Sequence, residues 1–144
     1  MNSGYSPKDL AFDEVGRDKL ISGITKIAKA VKSTLGPRGN TVLIESPEHT
    51  ASITVTKDGV TVAKSISLLD PVENLAVKMM KEAADKTATS AGDGTTTAIV
   101  LTEALVKAGT DLIGDNVNRT QVLRHIVDET KEIIKKLTKT GKSF

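Results

Sequence analysis

Six consecutive residues carry most of the chemistry in this chain: Gly92-Asp93-Gly94-Thr95-Thr96-Thr97, followed at once by the apolar run Ala98-Ile99-Val100-Leu101. Two glycines flank one carboxylate, and glycine lets the backbone bend at positive φ and lets a ligand come close. The Asp93 carboxylate is a hard oxygen ligand of the kind Mg²⁺ accepts together with phosphate and water oxygens. If a helix starts here, the N–H groups of Gly94 to Thr97 are its unsatisfied donors, and such an end attracts phosphate. On local chemistry alone two readings stand. One is a site for a Mg²⁺-complexed nucleotide phosphate. The other is an Asp N-cap followed by threonines that merely open a helix. Three threonines in succession are a poor choice for a plain helix start, because threonine is a mediocre helix former. The stretch is not a Walker A loop, since no Gly-Lys-Ser/Thr occurs anywhere in the chain.

The remaining composition narrows the function classes. The chain has no cysteine, which excludes disulfides, zinc-thiolate sites and cysteine nucleophiles and suits a reducing compartment. His49 and His125 stand alone, without partners at ligand spacing. No apolar run approaches the roughly 20 residues of a membrane span, and the N-terminus has no apolar signal core. Cytoplasm is the expected location, and no membrane partner is expected. Aromatics make up 2% of the residues and the net charge is +2. Stacking platforms for nucleic acid are therefore nearly absent, and the core must be aliphatic.

Two further segments bring a family into view. Thr34-Leu35-Gly36-Pro37-Arg38-Gly39 precedes, and Thr56-Lys57-Asp58-Gly59-Val60-Thr61-Val62-Ala63 follows, in the order in which nucleotide loops occur in the chaperonins. Together with Gly92 to Thr97, they resemble the phosphate-binding motifs of that family. Lys57 and its flanks resemble group I, the bacterial and organellar type. The similarity runs from about Phe12 to near the C-terminus. The resemblance implies a mainly α fold, a helical bundle like the chaperonin equatorial domain with one small β-hairpin. It implies ATP and Mg²⁺ as cofactors. It places Thr34, Leu35, Gly36, Pro37, Lys57, Asp93, Gly94, Thr95, Thr96 and Thr97 at the nucleotide, with Asp93 on Mg²⁺. It gives Asp58 a catalytic role in hydrolysis. A plain Lys-Asp-Gly turn is the alternative for Lys57 and Asp58.

The elements that position these loops can be read in order. Leu20, Ile24, Ile27, Val31 and Leu35 recur at helical spacing from about Asp13 to Leu35, with Lys19, Lys26, Lys29 and Lys32 on a solvated face. Gly36-Pro37 stops that helix. Thr41 to Thr56 reads as a hairpin around a turn cluster at Ser46 to Thr50. The connection from Ser46 to Ser52 is longer than the family pattern, and Asn40-Thr41 departs from it. Val60 to Ile66 form a short helix or an extended bridge. Asp70, Pro71 and Glu73 form a capping box that starts a helix running to about Thr89. Leu75, Val77, Met80, Ala83 and Ala84 are its candidates for burial, and Met79 and Met80 are core filler. A helix from about Thr96 to Ile113, with Ile99, Val100, Ala104, Leu105, Ala108 and Leu112 as its stripe, is expected to be buried. The last helix follows an Asn118-to-Gln121 capping box and runs to about Lys139, with Leu123, Ile126, Val127, Ile133, Ile134 and Leu137 facing inward. Its lysines Lys131, Lys135, Lys136 and Lys139, with Lys142, read as a solvated face.

Residues 1–11 are expected to be flexible and residues 12–140 to form the N-terminal half of an equatorial domain. Residues 141–144 would begin a hinge toward an absent intermediate domain. Chaperonin subunits are several times longer, so the expectation is a fragment of a folding ATPase, inactive by itself. The resemblance implies a homo-oligomeric ring of the heptamer type. Unfolded substrates and a co-chaperonin lid would be engaged through domains absent here. Two other readings are a non-enzymatic module that joins or caps a ring, and a basic helical nucleic-acid binder.

Overall fold

The computed structural model describes residues 10–45, 53–114 and 117–141. In chain order the elements are α1 (Asp13–Lys32), β1 (Val42–Glu45), β2 (Ile53–Thr56), α2 (Gly59–Ser65), α3 (Pro71–Ala91), α4 (Thr95–Leu112) and α5 (Arg119–Thr140). The mainly α fold with one hairpin is thus present. The chain divides into two compact units, Met1–Lys107 and Ala108–Phe144.

The first unit is built on α1 against α3. Ile27, Ala28 and Val31 of α1 meet Val77, Met80 and Ala84 of α3, and α2 adds Val62 and Ala63 while α4 adds Ile99. All are aliphatic or Met, as the scarcity of aromatics requires. Truncating a fully buried residue such as Ile27 or Ile99 to alanine removes packing worth roughly 2–5 kcal/mol. Gly23 permits the close approach of the two main helices: a Cβ there would collide with the backbone carbonyl of Glu73. Such an approach is one of the uses of glycine inside a helix.

Charge pairs then fix the register of α1 on α3. Lys19 Nζ lies 2.6 Å from Asp70 Oδ2, and Lys26 Nζ lies 2.5 Å from Glu73 Oε2. The Ser22 hydroxyl donates to Glu73 Oε1 at 2.7 Å. The lysines of α1 are therefore not a merely solvated face, because Lys19, Lys26 and Lys32 all reach carboxylates on other elements. Asp70 caps α3 as expected, its Oδ1 accepting from the amides of Val72 and Glu73, with Pro71 next in sequence. Glu73 departs from the capping-box expectation. Its carboxylate points to Lys26 and Ser22 on α1, where a cation outcompetes a neutral amide as donor.

Two further expectations about burial fail. Leu75 and Met79 of α3 are exposed, at 53% and 62%, while Met80 is buried. The apolar stripe of α3 is wider than its cover: only the arc facing α1 and α2 is buried. On α4, the buried residues are Thr95, Ile99 and Glu103, and Leu101, Leu105 and Leu112 are exposed.

The hairpin is antiparallel, with Leu43 opposite Val55 and Glu45 opposite Ile53. Val42 and Ile44 pack on the core, while Leu43, Ile53 and Val55 are exposed. The connection at Ser46 to Ser52 lies outside the described residues, as do residues 1–9 and 142–144. In the second unit, Asn118 Oδ1 caps α5 by accepting from Gln121 N at 3.2 Å. No described residue of α5 is buried, and Leu123, Ile126, Val127, Ile133, Ile134 and Leu137 are exposed. The inward expectation for that face is thereby corrected. Periodicity identifies an apolar face but does not supply its cover.

Candidate functional site

Three segments of the first unit converge on one glycine. A Cβ built on Gly59 would collide with Thr96 Oγ1 and come within 3.2 Å of Thr34 Oγ1. Gly59 opens α2, Thr34 follows α1, and Thr96 sits in the first turn of α4. Segments separated by more than twenty residues each are thus brought to one place.

The first segment is a tight turn off the end of α1. Thr34 N and Thr34 Oγ1 both donate to Val31 O, at 3.1 and 2.8 Å, and Leu35 N donates to Lys32 O at 3.1 Å. Gly39 N donates to Gly36 O and Asn40 N to Ser33 O, closing the loop on itself. Gly36 adopts φ 77°, a region open to glycine at little cost. Leu35, Gly36 and Pro37 are exposed and Thr34 is half-buried. The helix ends at Lys32, so Leu35 belongs to the loop and not to the core stripe.

The second segment carries Lys57 and Asp58, both exposed. Asp58 is the N-cap of α2. It accepts from Val60 N at 3.3 Å, Thr61 N at 3.0 Å and the Thr61 hydroxyl at 2.6 Å. These bonds, led by that of the hydroxyl, hold its carboxyl below the ordinary 3.8. The carboxylate is thus ionised at neutral pH and oriented by the helix it caps.

The third segment joins α3 to α4. Gly92 ends α3 in the left-handed region, at φ 77°, and its N–H donates to Ala88 O at 2.9 Å. Gly94 follows at φ 85°. Gly94 stands just before α4, and Ala98 N donates to its carbonyl at 2.9 Å. The N–H groups of Thr95, Thr96 and Thr97 precede that first intrahelical bond. Asp93 is not the cap of this helix: Oδ1 accepts from the adjacent Gly94 N at 2.6 Å. A cap would accept from an amide two or three positions into the helix. Asp93 is exposed. Among the described residues no three His, Cys, Asp or Glu side chains cluster as a metal site. A Mg²⁺ held by Asp93 would therefore take its other oxygens from phosphate and water, as this ion commonly does.

Sequence reasoning missed Glu103. It is buried, two turns along α4 from Thr95, and ion-pairs with Lys32 of α1 and, at 2.8 Å, with Lys107. Burial alone would push its carboxyl up, but hydrogen bonds from Lys107 and Lys32 more than cancel that and hold it below 4.5. The available signal was its isolation: Glu103 is the single charged residue between Thr95 and Val106. On α5, Lys131 and Lys135 pair with Asp128 and Glu132 of the same helix, at 3.0 and 2.6 Å.

Five helices and one small hairpin among the described residues, with three glycine-containing segments meeting beside one helix start, match a chaperonin fold of the equatorial type. The chain belongs to the TCP-1/cpn60 chaperonin family, whose sequence profile matches residues 27–144. Among solved structures it is similar to the chaperonin gp146 from the bacteriophage EL 2 (Pseudomonas aeruginosa), crystallised in two forms in the presence of ATP-BeFx. Identity is 36% and the TM-score 0.74 in both. The matches cover 86% and 87% of this chain but 21% and 22% of gp146. The chain thus spans about a fifth of the length of that relative. No helix among the described residues is long and apolar enough to cross a membrane.

Proposed function

We propose that this segment holds the phosphates of Mg²⁺-complexed ATP and is the nucleotide-binding part of an ATP-dependent chaperone of protein folding. The observation that carries the reading is the meeting of Thr34, Gly59 and Thr96. A hydroxyl from the first loop and one from the third flank the start of the helix that Asp58 caps. The presence of ATP-BeFx with gp146 points the same way. On this reading Thr34 to Pro37 lie against the nucleotide, and the amides and hydroxyls of Gly94 to Thr97 bind phosphate oxygens. Lys57 adds a cation, and Asp93 holds the Mg²⁺. The ion neutralises charge that develops in phosphoryl transfer. Asp58, already ionised and fixed by Thr61, orients water or a cation near the terminal phosphate. Residues 12–140 correspond to the N-terminal half of the domain, and residues 141–144 lead toward the next one.

The same reading makes the chain part of a cytoplasmic, homo-oligomeric ring of the heptamer type. Unfolded substrates and a lid engage other domains of the ring. A carboxylate to activate the attacking water does not stand out beyond the three loops, so the 144-residue chain should bind without turning over. Isothermal titration of the purified chain with Mg-ATP, with and without EDTA, tests binding. Asp93→Ala should lose Mg²⁺-dependent binding, and in a full-length subunit it should abolish turnover while rings still form. Undiminished turnover in that variant would remove the assignment.

A further inference from the structure

The buried face of α4 is Thr95, Ile99 and Glu103, spaced four residues apart. A carboxylate thus occupies the third position of a core stripe. Burying a charge is costly unless it is paired, and here the partners differ in kind. Lys107 is on the same helix, one turn away, and an i,i+4 pair of this type stiffens only its own helix. Lys32 belongs to another element. It is the last residue of α1, and its backbone carbonyl accepts from Leu35 N in the first phosphate loop. One residue therefore holds that loop by its carbonyl and α4 by its ammonium.

We propose that Glu103 and Lys32 are positioning residues that set the first loop, at Thr34 and Leu35, against the N-terminal turn of α4, at Thr95 to Thr97. The proposal deepens the nucleotide-site reading above and rests on it for its functional consequence. The mechanical part follows from the geometry itself. Ile99, between the two ends of the stripe, is fully buried, so α4 cannot tilt at Glu103 without disturbing Thr95 and Thr96. The convergence at Gly59 leaves no room for such a shift on the Thr96 side. The phosphate-binding hydroxyls are thereby held at their spacing before any ligand arrives, and such pre-organisation lowers the cost of binding.

Amide hydrogen exchange on the full 144-residue chain tests the mechanical part. The three informative bonds are Leu35 N to Lys32 O, Asn40 N to Ser33 O and Ala98 N to Gly94 O. Lys32→Met should accelerate exchange at all three by about threefold to tenfold, the size expected of a half-exposed cation on a buried carboxylate. Lys32→Arg, which keeps the charge, should retain protection. Lys107→Met removes the same carboxylate's other partner and should leave the loop amides of Leu35 and Asn40 at wild-type rates. Equal effects of Lys32→Met and Lys107→Met, or no effect of Lys32→Met, would overturn the proposal. Titration with Mg-ATP gives the functional readout: Lys32→Met should weaken binding by a similar factor and Lys107→Met should not. A wild-type chain that binds no Mg-ATP would refute the nucleotide reading, whereas the exchange data decide the coupling independently.

Discussion

Gly59→Ala is the substitution that best separates the geometry of the site from the stability of the fold. Glycine at the start of a helix lowers its stability, so alanine there would ordinarily stabilise by about 0.4–1 kcal/mol. At Gly59 the added methyl would collide with Thr96 Oγ1 and lie 3.2 and 3.3 Å from Thr34 Oγ1 and Val31 Cγ1. Overpacking of this kind costs about 1–3 kcal/mol. The Thr96 hydroxyl is the end of a short side chain and can rotate away, which puts the cost at the lower end of that range. The two terms nearly cancel, and the expected net loss is at most about 0.6 kcal/mol, or no more than roughly 3 °C in Tm. Binding should respond far more. On the proposed reading, a rotated Thr96 would lose a hydrogen bond to a charged phosphate, worth about 1.5–3 kcal/mol, so Mg-ATP affinity should fall about tenfold to a hundredfold. Gly109→Ala is the control. It lies in the last turn of α4 with its nearest contact at an ordinary 3.8 Å and should raise helix stability without touching affinity. The measurement is paired thermal melting and isothermal titration. If Gly59→Ala binds Mg-ATP as the wild type does, the three loops do not form one site.

Three more outcomes are expected. Asp58→Asn keeps the cap, since asparagine caps as well as aspartate, whereas Asp58→Ala should cost about 1 kcal/mol. In a full-length subunit, hydrolysis slowed by Asp58→Asn with unchanged Tm would therefore report chemistry, and unchanged hydrolysis would reduce Asp58 to a cap. Val55→Pro in a full-length subunit should shift rings toward monomers in analytical ultracentrifugation. Proline deletes a ladder donor in a two-stranded sheet whose unpaired edges can recruit strands of a neighbouring subunit, and intact rings would show that the hairpin makes no such contact. The carboxyls of Asp70 and Glu73 are held low, first by hydrogen bonds from Lys19 and Lys26 respectively. A lowered folded value stabilises above the unfolded value and is lost as pH falls through the folded one. Tm should thus be flat near neutrality and fall below the ordinary 3.8 and 4.5. Lys26→Met should lower Tm at neutral pH and lose its effect in acid, and a pH-independent effect would mean that the pair is idle.

Local signals in the sequence were reliable wherever one residue type has one use. Proline at position 71, the cap at Asp70 and the glycines at 36, 92 and 94 each behave in the structure as their chemistry dictates. The loops also fall where their glycines place them. What sequence could not show was which partner a group would choose. Glu73 had two candidates, an amide three residues back and a lysine on another helix, and only the crossing at Gly23 brings that lysine within reach. Glu103 drew no reading from the sequence, because nothing local marks Lys32 as its neighbour, seventy-one positions away. The broad apolar stripe of α4 had the opposite problem. Its Leu105 and Leu112 satisfy the helical period yet lie on the side that the core does not reach.

The bareness of α5 has a thermodynamic consequence. A segment that buries little exposes little when it unfolds, so it contributes little to the heat capacity of unfolding or to a denaturant slope. Calorimetry of the chain should register the cooperative melting of the first unit. Meanwhile the twenty-two residues of α5 should fray gradually, held by intrahelical pairs such as Lys131 with Asp128, in the manner of a free peptide helix. A two-state fit to helical signal would blend the two processes and understate the sharpness of the first. Anything that comes to cover Leu123, Ile126, Ile133 and Leu137 would convert that gradual loss into a transition. The midpoint of that transition would rise with the concentration of whatever does the covering.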